Sequence, residues 1–196
     1  MDSPFDLFSI GHSNHPVDRF IDLLRAAGVT MIADVRSVPA SRRYPWFSAK
    51  QLGERFAHDG IVYEPMCEAL GGRPRDPSLY HDGVADYAAM AATPTFHAGL
   101  ERVIAATRDH RVCLMCSERE PLDCHRCLLI APQLSERGLN IGHILADGTV
   151  EPHAATEERL LALAGKGPDL FGGDRSERLR AAFRRRAGSA AFRAKR

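Results

Sequence analysis

Apolar and polar positions switch between two periods along this chain. Leu7–Ile10 is a short apolar run ending at Gly11. Val17, Phe20, Ile21, Leu24 and Ala27 then recur at helical spacing, with Pro16 suited to the first turn and Gly28 to the stop. Val29–Val35 reads as a buried strand, and a Pro-rich loop with Pro39 and Pro45 follows. Ser48 and Gln51 have the spacing of a capping box for a helix to about His58. Ile61–Tyr63 is a third strand, and 65–83 reads as a long loop. Helical stretches are expected at 84–92 and 95–108, split by Pro94. Val112–Met115 is a strongly apolar strand, after which Asp123 is placed to cap a helix closed by Gly138. Ile141–Leu145 is a fifth strand, Asp147-Gly148 a turn, and Thr156 the cap of a last core helix to about Ala164.

Strands separated by helices imply right-handed crossovers. The expected class is therefore α/β: a mostly parallel, five-stranded sheet with helices on both faces, in a Rossmann-like three-layer sandwich. In open sheets of this kind ligands bind beyond the carboxyl ends of the strands. The residues following those ends are Gly11, His12 and Ser13, then Asp34, Val35 and Arg36, then Cys116, Ser117 and Glu118. Topology alone thus gathers polar, titratable groups at one edge. Asp34 and Arg36 alternate around Val35 and suit an ion pair as well as they suit catalysis. His143 lies inside the fifth strand and reads as a satisfied core histidine.

Composition adds bounds. The chain has 196 residues, 44% apolar and 26% charged, which fits one globular domain with an appendage. The division expected is an α/β domain over 1–164, then a linker and basic tail over 165–196. No run approaches the roughly 18 apolar residues of a membrane span, so no membrane role is expected. The start, MDSPFDLFSIGHS, has no basic segment leading into an apolar one, which argues against a secretory signal. The net charge of +1 conceals an asymmetry. Arg175, Arg178, Arg180, Arg184–Arg186, Arg193, Lys195 and Arg196 outweigh Asp174 and Glu177, leaving an acidic body. Such a tail suits either a solvated terminus or contact with nucleic acid. Arg42–Phe47, which interleaves arginine with Tyr44, Trp46 and Phe47, suits base stacking or an ordinary covering loop.

Four of the five cysteines lie in VCLMCSEREPLDCHRC, residues 112–127. An odd count in a local cluster points to a reducing, cytoplasmic setting and a thiol or metal site. Cys116 ends the strand, and Cys124 falls at the start of the next helix, where the macrodipole and the neighbouring His125 and Arg126 favour a thiolate. Glu118 is placed to act as a base or to orient Arg126. Cys113 and Cys127 read as small buried hydrophobes. Zinc is the alternative, through Cys113, Cys116, Cys124 and Cys127. It requires the strand to break, because residues three apart on a strand point to opposite faces. A disulfide between Cys116 and Cys124 requires Cα atoms within about 7 Å.

The pieces FSIGHSNHP (8–16), IADVRSVPASRR (32–43), LGGRP (70–74), LMCSEREPLDCHR (114–126) and IGHI (141–144) together resemble the prokaryotic family called domain of unknown function 488. The resemblance implies a small α/β domain in which Cys116 and Cys124 matter, and no established activity. Cys113 and Cys127 are not part of that pattern. A looser likeness to rhodanese-type sulfurtransferases rests on Asp34, Val35, Arg36 and Cys116 in the same order. The loop after Cys116 departs from it, having two acids and no glycine, so the likeness extends to scaffold rather than reaction.

Three functions fit the sequence. The first is a cysteine-dependent transferase or hydrolase acting on a small anionic or nucleotide-like substrate. In it Cys116 is the nucleophile, or the redox centre with Cys124. Glu118 and His12 supply acid and base, and Ser13, Asp34, Arg36, His125 and Arg126 bind substrate. The second is a nucleic-acid-binding module using the tail, 174–196, and the 42–47 loop. The third is a zinc-stabilised structural domain.

Overall fold

The computed structural model describes residues 3–165 and 174–194; the linker expected over 165–174 lies almost wholly outside the described residues. In chain order the elements are β1 (Leu7–Gly11), α1 (Val17–Ala26), β2 (Met31–Asp34), α2 (Ala49–His58), β3 (Val62–Pro65), α3 (Cys67–Leu70), β4 (Tyr80–His81), β5 (Val84–Ala85), α4 (Tyr87–Ala91), α5 (Pro94–Ala106), β6 (Val112–Cys116), α6 (Ala131–Ser135), β7 (Ile141–Ile144), β8 (Val150–Pro152), α7 (His153–Leu163) and α8 (Arg175–Ala190).

The class is α/β, as the alternation of periods implies. The main sheet runs β3-β2-β6-β1-β7-β8. Its first five strands are parallel, and β8 returns antiparallel to β7. The sheet thus has six strands where five were expected. After the turn at Asp147-Gly148, Val150, Glu151 and Pro152 pair back along β7, and Pro152, which has no N–H to continue the ladder, ends the strand. Within the expected 65–83 loop and just beyond it, β4 and β5 form a small hairpin.

Strand alternation divides the core in two. Phe8, Ile10, Ile32, Cys113 and Met115 face α1 and α2, whose Phe20, Ile21, Leu24, Leu52 and Phe56 are fully buried. Leu7, Ala33, Val112, Leu114 and Cys116 face the other way, onto Leu70, Phe96, Leu100, Val103, Leu128 and Leu160. Burying a side chain of this size stabilises the fold by about 1.5–3 kcal/mol. This is what holds both layers on the sheet.

The helix expected from Asp123 is built differently. Pro121–Asp123 is a single 3-10 turn, and Cys124 is extended (φ −137°, ψ 140°). The Cys124 carbonyl accepts the N–H groups of Cys127 and Leu128, so Cys124 stands at the cap of the helix rather than in its first turn. Arg126–Ile130 then forms a π turn, where the Ala131 N–H reaches back to the Arg126 carbonyl. This wider turn directly precedes Pro132, whose ring would crowd the carbonyl four residues back in a regular α-helix. Thr156 is not a cap. The helix begins at His153, and the buried Thr156 hydroxyl donates to Glu151 Oε2 at 2.7 Å.

Over its described residues, 174–194, the basic tail packs along one side on the domain. α8 packs against α7 and the Pro121–Asp123 turn, burying Ala182. Arg186 donates to the Leu122 carbonyl and pairs with Asp123, while Arg175 pairs with Glu157 and Glu158. Beyond the helix, the Phe192 carbonyl accepts from the Ala85 N–H, and the Ala194 N–H donates to Gly83. No helix among the described residues is long and apolar enough to cross a membrane.

Candidate functional site

The carboxyl ends of β1, β2 and β6 converge, since Gly11 pairs with Cys116 and Asp34 with Met115. The pairing continues past the strands: His12 N–H donates to the Cys116 carbonyl and Ser13 N–H to that of Ser117, both at 2.9 Å. The loop after β6 lies so close to β1 that a Cβ on Gly11 would sit 1.8 Å from the Glu118 carbonyl oxygen. Only glycine fits there. Ser13 adopts a left-handed conformation (φ 49°) to make the turn.

Two thiols define the pocket. Cys116 and Cys124, buried, and the His125 ring bring their ligand atoms within 4.8 Å of one another. Cys116 Sγ donates to Glu118 Oε2 at 3.0 Å. His125 Nδ1 lies 3.7 Å from Cys116 Sγ and 3.8 Å from Cys124 Sγ. Its Nε2 donates to the Val35 carbonyl at 2.9 Å, which fixes the ring. A Cβ on Gly72 would meet that ring at 2.7 Å, so the second glycine of LGGRP exists to admit the imidazole.

The two sulfurs are not equivalent. The Cys116 thiol is held well above its usual pKa by the adjacent Cys124 sulfur, by burial, and by the charges of Cys124 and Glu118. Burial also opposes ionisation of Cys124, but the Cys116 thiol, Arg126 and His125 outweigh it and pull Cys124 well below the usual thiol range. The helix beginning behind Cys124 adds its dipole in the same sense. The Glu118 carboxylate, 3.4 Å from Cys124 Sγ, acts against the thiolate and is outweighed. His125 is raised in turn: burial lowers it, and Cys124, the Val35 carbonyl and Glu118 more than compensate. The proton is thus favoured on Cys116 over Cys124, and His125 is shifted toward its charged form.

The two arginines have other engagements. Arg36 is 3% exposed and Asp34 fully buried. Arg36 Nε contacts both carboxylate oxygens at 2.8 and 3.1 Å, and its terminal nitrogens reach Asp34 Oδ2 (2.5 Å), the Phe47 carbonyl (2.6 Å) and His12 Nε2 (3.3 Å). Tyr63 completes the set by donating to Asp34 Oδ2 at 2.6 Å. Arg126, fully buried, donates to the carbonyls of Glu118 and Arg119, not to the Glu118 carboxylate. It holds the loop in place and acts on Cys124 through its charge. His12 stacks on Phe47 at 4.2 Å, and burial together with the Arg36 charge brings its pKa down to about 4. It is therefore neutral at pH 7.

A pocket of about 420 Å³ opens over the thiols, walled by Cys116, Glu118, Cys124, His125, Tyr87, Arg73 and Phe192 among others. Arg73 is exposed and lies over the Phe192 ring at 4.5 Å. Tyr87, kept protonated by burial and by the charges of Cys124, Cys116 and Glu118, faces the same space. Motif reasoning singled out neither Tyr87 nor the tail residue Phe192. His12 and Ser13 line a separate, shallower groove with Arg43, Tyr44 and Arg119, and Ser117 and Glu118 border both.

The four cysteines of the zinc reading do not converge. Cys113 faces α1 and α2, whereas Cys116 faces the opposite core. Burial pushes the Cys113 and Cys127 thiols up. All five cysteines are free. In the 42–47 loop Phe47 is fully buried, Trp46 is 41% exposed, and Arg43 lies over Tyr44.

Comparison with curated proteins and with solved structures gives no match. The profile described as "Domain of unknown function DUF488" matches residues 16–131, which include β2, the LGGRP segment, β6 and both pocket thiols. That span exceeds half of the chain, and the protein belongs to the DUF488 family.

Proposed function

We propose that this protein is a cysteine-dependent group-transfer enzyme in which Cys124, rather than Cys116, is the nucleophile. The observation that supports this most directly is the setting of Cys124 at the helix cap, against His125, Arg126 and the Cys116 thiol, on the wall of the pocket. A thiolate, not a thiol, attacks electrophiles. In the step proposed, a bond forms between Cys124 Sγ and the electrophilic atom of the substrate while the bond to the leaving group breaks. The leaving group takes the Cys116 proton. Water, deprotonated by Glu118, then releases the transferred group and restores the thiolate, and Cys116 regains its proton. The pocket volume suits a small molecule, and Arg73 at its rim suits an anionic one. The guanidinium groups of Arg36 and Arg126 serve instead to hold the loops that carry the site.

The test uses p-nitrophenyl acetate as a generic electrophile. The wild type is expected to release a burst of p-nitrophenol and to carry an acetyl group on Cys124, located by peptide mass spectrometry. Cys124→Ser should lose both, and Cys116→Ser, which removes the thiol that helps pull the Cys124 sulfur down, should slow the burst severalfold. An adduct on Cys116 alone, or an undiminished burst in Cys124→Ser, overturns the assignment.

A further inference from the structure

Beside the helical segment that follows Cys124 lies a second cluster of donors. Cys127, His143 and His153 are all buried, and one ligand atom from each lies within 4.8 Å of the others. We propose that these three residues form a binding site for a divalent metal ion of borderline softness, zinc fitting best.

The geometry is that of a ligand set. His143 Nε2 and His153 Nδ1 face each other at 3.0 Å, so the two ring nitrogens must share either a proton or a cation. Two imidazoles and one thiolate are the donors that zinc prefers, and they exclude the oxygen-seeking calcium and magnesium. Zinc–nitrogen bonds of about 2.0–2.1 Å and a zinc–sulfur bond of about 2.3 Å place tetrahedral ligands roughly 3.3–3.6 Å apart. The facing nitrogens need to separate by only a few tenths of an ångström.

The outer partners are also in place. A metal-bound histidine commonly turns its other ring nitrogen to an oxygen. His143 Nδ1 lies 2.7 Å from Ser9 Oγ. His153 Nε2 is buried without a hydrogen-bond partner among the described residues, and its nearest carboxylate oxygen is Glu157 Oε1 at 3.8 Å. Binding of the ion sets both protons outward, His143 toward Ser9 and His153 toward Glu157. Cys127 gives up its thiol proton to solvent as its sulfur bonds the metal.

Sheet register explains the convergence. Ser9 and His143 are partners across β1 and β7, on the face that carries Leu7 and Ile141. His153 opens α7 after β8 turns back, and Cys127 comes from the π turn. A bound ion therefore ties three elements together two residues from His125. A fourth position is left for water or an added ligand.

The test strips the full-length protein with chelator and adds back Zn²⁺ or Co²⁺, with stoichiometry read by elemental analysis. One equivalent is expected, with the visible spectrum of tetrahedral cobalt and a thiolate-to-cobalt charge-transfer band in the near ultraviolet. Cys127→Ser should abolish that band, and His153→Gln should weaken binding at least tenfold. The Cys116→Ser/Cys124→Ser double variant should retain both metal and band. If Cys127→Ser does not fold, the band in the wild type and its fate in His153→Gln decide the matter. Absence of tight binding, a band that survives in Cys127→Ser, or loss of metal in the double variant overturns the proposal; the last result would place the ion at Cys116, Cys124 and His125 instead.

Discussion

Replacing Asp34 by Asn leaves the Arg36 guanidinium buried with no countercharge. Arg36 is 3% exposed and Asp34 0%, and Asp34 is the carboxylate that the guanidinium grips through both Nε and a terminal nitrogen. Removing one member of such a pair costs about 3–5 kcal/mol, because the remaining charge cannot be resolvated without opening the fold. The Tyr63 hydroxyl loses a charged acceptor in the same step. For a chain of this length each kilocalorie lowers Tm by about 2–4 °C, so Asp34→Asn should melt roughly 6–20 °C below the wild type. The assay is urea unfolding followed by circular dichroism, run on Asp34→Asn, Arg36→Met and the double variant. The double variant should be more stable than Asp34→Asn alone, since it carries no stranded charge. A cost below about 1 kcal/mol for Asp34→Asn, or a double variant no better than the sum of the singles, would refute the view that this pair is a buried structural clamp.

Four further outcomes are expected. His12 has a folded pKa near 4 against an ordinary 6.5, so the unfolded chain takes up a proton that the fold refuses. Stability should therefore fall as pH drops from 6.5 toward 4, by roughly 3 kcal/mol from this residue, and His12→Gln should flatten that part of a urea-midpoint profile against pH. His125→Gln removes the ring whose charge helps pull the Cys124 thiol down and should slow alkylation of Cys124 by iodoacetamide at pH 7 at least tenfold, measured by quenched mass spectrometry. Gly72→Ala places a methyl group 2.7 Å from the His125 ring; it should cost about 1–3 kcal/mol in unfolding experiments and slow the same alkylation. Truncation after Ala190 removes Phe192 from the pocket wall and should speed labelling by bulky maleimides while leaving the iodoacetamide rate within twofold.

Much of the architecture follows from periodicity. Runs such as Val112–Met115 are too short and too continuously apolar for anything but strands between helical layers, and period two predicts that Cys113 and Cys116 face different cores. The rule that ligands bind at the carboxyl edge brings Cys116, Asp34, Arg36 and His12 to one end of the sheet. What escaped depended on tertiary pairing. Val150–Pro152 carries no strand signal of its own and pairs only because β7 offers an open edge. The position of Cys124 at the cap rests on a π turn ahead of Pro132, which no capping rule anticipates. Arg36 and Arg126 look like substrate ligands in one dimension; only the distances show that Asp34 and the loop carbonyls hold them. LGGRP enters the sequence reading only through the family resemblance; the structure shows that its Gly72 makes room for His125. His143 reads as a satisfied core histidine, and both its ring nitrogens are partnered; that β8 and α7 make His153 one of the partners is not visible in one dimension.

The inequality of the two pocket thiols is the centre of this account. It is tested most directly by the pH dependence of iodoacetamide labelling at Cys116 and Cys124, resolved peptide by peptide in freshly reduced protein. The predicted result is that Cys124 labels as a thiolate well below the free-thiol pKa of about 8.5, with Cys116 unreactive until far higher pH. A Cys116 that labels first, or two thiols that both titrate near 8.5, would contradict it.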